Sequence, residues 1–220
     1  MSPPVFKVLI VDDHPIVREG LAELIGREQD LIVCGQAESG RSALEIIEEV
    51  GPDVAVVDLS LEDVNGLTLI KNVRSRRPAL PILVLSMHEE SLYAERALRA
   101  GAQGYIMKRE APRQVILAIR RVLGGEVYLS EALASRLMQT LVGRRGPAEV
   151  SPVARLSDRE LEVYTLIGQG LKTREIATKL DLSVKTIETY REHLKEKLGL
   201  KNATELVQSA IQWVHTESTP

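Results

Sequence analysis

Five short runs in the first 107 residues are apolar almost from end to end, and each is followed by a segment of helical spacing. The runs are 5–11, 31–36, 54–59, 81–85 and 104–107. A strand with one wet face alternates apolar and polar residues. A strand that is apolar throughout is buried on both faces, and this is the habit of parallel sheets flanked by helices. The intervening segments supply those helices, at 15–27, 42–50, 67–76, 92–100 and 113–123. Their inward positions include Ile16, Leu21, Leu24 and Ile25 in the first, Ala43, Leu44, Ile46 and Ile47 in the second, and Val115, Ile116, Ile119 and Val122 in the last. Five such units in about 125 residues predict an α/β domain with a flavodoxin-like (βα)5 sheet. Only 3% of the residues are aromatic, so the core has to be built from Leu, Ile, Val and Ala.

The pattern changes after the glycine pair at 124–125, which stops the last helix. A further helix is expected at 131–142. The stretch 143–152 holds two Arg, two Pro and two Gly and reads as a linker. No strand pattern follows; helices are expected at 157–168, 172–180, 184–198 and 203–214, a small all-α domain. The expected organisation is therefore 1–124, a linker over 125–154, and 155–220. No apolar run approaches the roughly 20 residues that cross a membrane, and the first residues lack a basic flank, so no membrane contact and a cytoplasmic address are expected. The single cysteine, Cys34, lies in an apolar run and is expected to be a buried, inert thiol.

Asp12 and Asp13 follow the first strand, and Asp58 ends the third. Ligands of open parallel sheets bind beyond the carboxyl ends of the strands, where the strand order reverses. If the first and third strands are neighbours, three carboxylates meet there and repel one another. A hard cation relieves that repulsion, and Mg²⁺ suits a site of few carboxylates that also takes water and phosphate oxygens. Lys108 follows the fifth strand at the same edge and offers a point charge to a phosphoryl oxygen; Ser86, past the fourth strand, offers a hydroxyl. One carboxylate can then act as a nucleophile towards phosphorus. Taken singly, Asp12 and Asp13 read better as caps of the helix at Pro15, and Asp58 as the start of a turn. Five such residues at the ends of four strands favour the shared site.

At these positions the chain resembles the receiver domains of two-component response regulators. The matching residues are the pair Asp12–Asp13, Asp58, Ser86, Tyr105 and Lys108, and the DDHP sequence at 12–15 is similar to the NarL/FixJ branch. The resemblance covers about 5–123. It implies a magnesium site of Asp12, Asp13, Asp58 and the Ser60 backbone, and a phosphoryl group passed to Asp58 by a histidine kinase. It also implies that Ser86 and Lys108 close on that group while Tyr105 turns inward. Two departures stand out. Leu61 and Glu62 replace the family's usual Met-Pro, and Arg109 replaces the Pro that often follows the lysine.

In the second half, 172–180, 181–183 and 184–198 read as helix, tight turn and helix, with Ser183 as an N-cap. Ile176, Ala177, Leu180, Leu182, Val184, Ile187, Leu194 and Leu198 suffice to pack the pair. Eight basic against five acidic side chains fall within 172–201. That modest excess leaves a DNA-binding unit and a plain helical bundle equally open. The segments LSDREL at 156–161, LIGQGLKTREIATKL at 166–180 and LSVKTIETYREHLKEKLGL at 182–200 decide between them by their similarity to the LuxR-type helix-turn-helix. That resemblance implies double-stranded DNA as a partner. The contacts would come from Lys172, Thr173, Arg174, Lys185, Thr186, Glu188, Thr189, Glu192, Lys201 and Asn202. It also implies a homodimer through the last helix, whose apolar Leu206, Val207, Ala210, Ile211 and Val214 fit an internal core equally well.

Other chemistry is less well served. His14, His88, His193 and His215 lack metal-ligand spacing; flanking the acidic site is an alternative for His14 and His88, but both are expected as solvated surface. Trp213 is expected in the core. A flavin enzyme wants Gly, Ser and Thr after the first strand, where this chain has DDH. An aspartyl phosphatase usually carries a second acid two residues after its nucleophile, where this chain has Ser60. An enzyme is not expected.

Overall fold

All five apolar runs become strands of one parallel sheet: β1 (Phe6–Val11), β2 (Leu31–Ala37), β3 (Val54–Val57), β4 (Ile82–Ser86) and β5 (Gly104–Met107). The computed structural model describes residues 4–141 and 151–218, and its contacts divide the chain into two units, Met1–Val142 and Gly143–Pro220. The strand order is β2-β1-β3-β4-β5. This is the flavodoxin-like order, whose reversal falls between β1 and β3. Those two strands are hydrogen-bonded neighbours with Val11 level with Val57, so the residues that follow them, Asp12 and Asp58, emerge side by side.

Helices α1 (Pro15–Gly26), α2 (Gly40–Val50), α3 (Gly66–Arg76), α4 (Glu90–Ala100) and α5 (Ala111–Leu123) connect the strands. Successive strand side chains point to opposite faces. Val8, Ile10, Val54, Val56, Leu83 and Leu85 accordingly share one core with Leu21 and Ile25 of α1 and with Val115, Ala118 and Ile119 of α5. Each such Val, Leu or Ile side chain, once buried, contributes about 1.5–3 kcal/mol. The covering is complete in the centre, where every residue of β3 is at most 1% exposed.

The chain after α5 does not leave the sheet at once. Gly125 turns it with φ +81°. Tyr128 then lies along β5: its carbonyl accepts from Tyr105 N and its N–H donates to the Gln103 carbonyl, at 3.0 and 2.9 Å. Ser130 Oγ caps α6 (Glu131–Leu141) by accepting from Leu133 N, and Leu133 is buried. Part of the segment 125–154 assigned to the linker is thus attached to the first unit. The Gly- and Arg-rich residues 143–150 lie outside the described residues.

In the second unit a 3₁₀ turn (Pro152–Arg155) precedes α7 (Asp158–Gly168), α8 (Thr173–Lys179), α9 (Val184–Leu198) and α10 (Ala203–Ser218). Ser157 and Glu160 form a reciprocal capping box at the start of α7. Leu161, Ile167, Ile176, Ile187, Leu194, Leu206 and Ala210 make the core. Leu206 and Ala210 are wholly buried, so that face of α10 serves the unit's own packing. Gly168 is required there: a Cβ on it would lie 2.4 Å from the Ala210 carbonyl oxygen. Trp213 is half-buried, with its ring 5.5 Å from that of Tyr164.

Candidate functional site

Asp12 and Asp58 are each 1% exposed, at the carboxyl ends of adjacent strands, and Asp13 is half-buried beside them. Ligand atoms of Asp12, Asp13, Asp58 and His14 all lie within 4.8 Å of one another. Lys108 Nζ reaches over this group, 2.7 Å from Asp12 Oδ2 and 2.7 Å from Asp58 Oδ2. Among the described residues, the buried side-chain polar atoms that lack a hydrogen bond are Asp12 Oδ2, Asp13 Oδ1 and Asp58 Oδ1. Two of them have a side-chain nitrogen close by: Lys108 Nζ lies 2.7 Å from Asp12 Oδ2, and His14 Nδ1 2.6 Å from Asp13 Oδ1. Buried polar atoms are almost always satisfied. Three orphaned acceptors in one spot are what a hard divalent cation with oxygen ligands would complete, and the donor set fits Mg²⁺.

The electrostatics agree with the geometry. Burial pushes the Asp58 carboxyl above the usual carboxylate range, against the pull of Lys108. Burial alone would lower Lys108, but Asp58 and Asp12 together hold its ammonium above the ordinary lysine value. Asp58 Oδ2 lies on the Lys108 ammonium, and Asp58 Oδ1 is left without a donor.

Ser86 is fully buried at the end of β4, and its Oγ accepts from His88 N at 3.2 Å. Tyr105 is 1% exposed, and its hydroxyl donates to the His88 carbonyl at 2.8 Å. The ring of Tyr105 thus lies inside in this structure. His88 departs from its expected place. It is half-buried rather than solvated: its ring stacks on Tyr93 at 4.2 Å, and its Nε2 lies 3.0 Å from Ser60 Oγ. Burial, with the nearby Lys108 charge, lowers its pKa to about 4, so the imidazole is neutral. His14 is exposed as expected but joins the acid cluster. Cys34 is half-buried, and burial pushes its thiol up.

The second unit presents a helix-turn-helix. Leu182 N closes the turn on the Ala177 carbonyl at 2.9 Å, Asp181 takes φ +51°, and Ser183 Oγ caps α9 by accepting from Thr186 N at 3.0 Å. Lys185, Glu188, Thr189 and Glu192 stand exposed on α9, as do Lys172, Arg174 and Lys201 near it in the chain. Thr173 and Thr186 are half-buried. Several of the ten expected contacts already have side-chain partners within the unit, the Thr189 hydroxyl donating to the Lys185 carbonyl among them. Asn202 Oδ1 caps α10 by accepting from Glu205 N, and the Thr186 hydroxyl lies 2.7 Å from Ser183 Oγ. Glu192 pairs with Lys195 at 2.8 Å, which softens its charge on that face.

Residues 8–120 match the family model for the response regulator receiver domain, and residues 154–210 match that for bacterial regulatory proteins of the luxR family. The chain belongs to the response regulators. The oxygen regulatory protein NreC of Staphylococcus haemolyticus is 37% identical over 210 residues, a span that takes in 94% of this response regulator and 97% of that protein. RcsB of Salmonella enterica serovar Typhimurium, bound to promoter rprA with the phosphomimetic BeF₃⁻, is similar in structure. Its TM-score is 0.71 at 28% identity, covering 94% of this chain and 98% of that one. A further RcsB structure, from Salmonella typhimurium, matches with a TM-score of 0.73. The family explains why the acid cluster and the helix-turn-helix occur in one response regulator. Its place at the strand ends made His88 an alternative flank of the acid cluster in the sequence; its stacking on Tyr93 of α4 is what the structure adds.

Proposed function

We propose that Asp58 accepts a phosphoryl group from the phosphohistidine of a partner kinase in the cytoplasm, and that the phosphorylated regulator binds double-stranded DNA as a homodimer to control transcription. The observation that carries this reading is the buried Asp58 carboxylate, with one oxygen on Lys108 and the other unsatisfied among two further acids. The carboxylate attacks phosphorus, an O–P bond forms, the N–P bond to the donor histidine breaks, and its electron pair returns to that imidazole. Lys108 offsets charge on the transferring group. Asp12, Asp13, Asp58 and the Ser60 carbonyl would hold Mg²⁺, which supplies charge neutralisation for the phosphoryl oxygens. Ser86 stands ready to donate to one of those oxygens, and Tyr105 fixes the adjoining loop through the His88 carbonyl. The new group adds about −1.5 to −2 charges, enough to reset a loop held by hydrogen bonds.

Lys172, Arg174, Lys185 and Lys201 would meet phosphates, which position the protein; Glu188, Thr189 and Glu192 face outward where base edges would lie. Recognition of DNA through this unit is supported by the RcsB–DNA complexes among the similar structures. A turnover enzyme is disfavoured, since Ser60, with its hydroxyl on His88, occupies the place of a phosphatase's second acid. The test is the intact mass of the protein after a small phosphodonor and Mg²⁺. Wild type should gain one phosphoryl group and Asp58→Asn none; equal labelling of the variant would refute the assignment.

A further inference from the structure

The loop that carries Ser60 is fastened at its tip to a helix from another part of the sheet. Ser60 and Asn65 bridge its base, and Asn65 caps α3 through Leu67 N. At the tip, Asp63 Oδ1 accepts from Gly40 N at 2.9 Å and Asp63 Oδ2 from Arg41 N at 3.2 Å. These are the first two N–H groups of α2. The third, Ser42 N, goes to Ser39 Oγ at 3.2 Å. The exposed donors of that helix end are thus divided between its own cap and a carboxylate 22 or 23 residues away, which also meets the positive end of the helix dipole. A second contact lies beside the first. A Cβ on Gly40 would stand 2.2 Å from Val64 Cγ1, so the loop rests on a place kept bare of side chain.

From this we infer that Asp63 is a positioning residue for the phosphoacceptor site: by gripping the N-terminus of α2 it sets the height of the loop and so the place of the Ser60 carbonyl. The inference rests on the reading of Asp58 and its cation given above. The loop lacks the proline that its relatives usually have, with Glu62 exposed in that place. A proline would restrict the backbone from within; here the restraint comes from α2. Asp63 touches neither the cation nor the phosphoryl group in this scheme and acts only through the loop.

The experiment uses full-length protein and two readouts, Mg²⁺ affinity from the shift of the Ser60 and Asp58 amide NMR signals, and the melting temperature without metal. Asp63→Ala should weaken Mg²⁺ binding about tenfold, the low end of what loss of an outer-shell partner costs. Asp63→Asn keeps an acceptor for Gly40 N and should recover most of that loss. Ser39→Ala removes the helix's other cap and should lower the melting temperature without moving the affinity. Gly40→Ala supplies the opposite contrast, since it favours the helix locally yet pushes Val64 away and should weaken Mg²⁺ binding. If Asp63→Ala and Ser39→Ala both lower melting and neither alters affinity, Asp63 is only a helix cap and the proposal is overturned. A wild-type protein without any Mg²⁺ response overturns the reading of the site itself, and this proposal with it.

Discussion

Lys108 Nζ lies 2.7 Å from Asp58 Oδ2, a contact between an ammonium 9% exposed and a carboxylate 1% exposed. It is also 2.7 Å from Asp12 Oδ2, so one cation holds two buried acids together. Lys108→Met strands those acids. The cost should be about 3 kcal/mol, the low end for a broken buried pair, because Asp58 can take up a proton. Urea denaturation would register it as a lower midpoint in metal-free buffer, and Mg²⁺ should restore part of the loss. A variant as stable as wild type in EDTA would show that Lys108 is not the counterion.

His88 makes stability depend on pH in a definite direction. Its folded pKa of about 4 lies below the ordinary 6.5, because burial and Lys108 disfavour the charged ring. Between those values the unfolded chain binds the proton and the folded chain does not. His88 therefore contributes stability that is full above pH 6.5 and is lost as pH falls towards 4. From pH 7 to pH 5 the loss should be about 2 kcal/mol. His88→Asn cannot titrate and should flatten that part of the profile. Identical slopes for variant and wild type would remove His88 as the cause.

Much of this fold was legible because its strands are buried on both faces. Continuous apolar runs such as Val54–Val57 have one structural use, and the acids that end them fall at one edge by topology alone. What stayed hidden depends on contacts that only the folded chain makes. His88 is spaced like a surface residue, and only the first turn of α4 brings Tyr93 onto its ring. Asp63 reads as a loop acid until α2 meets it. Tyr128 follows the glycine pair that ends α5, yet its backbone extends the sheet beside β5. In the second unit, local signals such as Ser183 were enough to place the turn. The modest basic excess over 172–201 gave no hint of which helix face meets DNA.

Ser130 holds the start of α6 in two ways. Its Oγ caps the helix at Leu133 N, and its hydroxyl and N–H both donate to the Glu90 carboxylate at the start of α4. Ser130→Ala should cost about 1 kcal/mol, the usual value of an N-cap. The loss should be local, with faster amide exchange across Glu131–Leu141 and unchanged protection in β1 and β3. Unaltered exchange in α6 would mean that the burial of Leu133 alone holds the segment.

Charge on α9 divides affinity from selectivity. Lys185 and Glu188 are both exposed on its first turns, one attractive to phosphates and the other repulsive. Lys185→Ala should lower affinity for every duplex and reduce the slope of log affinity against log salt by about one, the signature of one lost phosphate contact. Glu188→Gln should act differently. Removing a repulsive charge strengthens binding to a scrambled duplex, whereas losing an acceptor for cytosine costs about 1–3 kcal/mol on the selected site. The ratio of selected to scrambled affinity should therefore fall for Glu188→Gln and stay level for Lys185→Ala. Equal tightening on both duplexes by Glu188→Gln would make that residue a brake on non-specific binding rather than a reader of sequence.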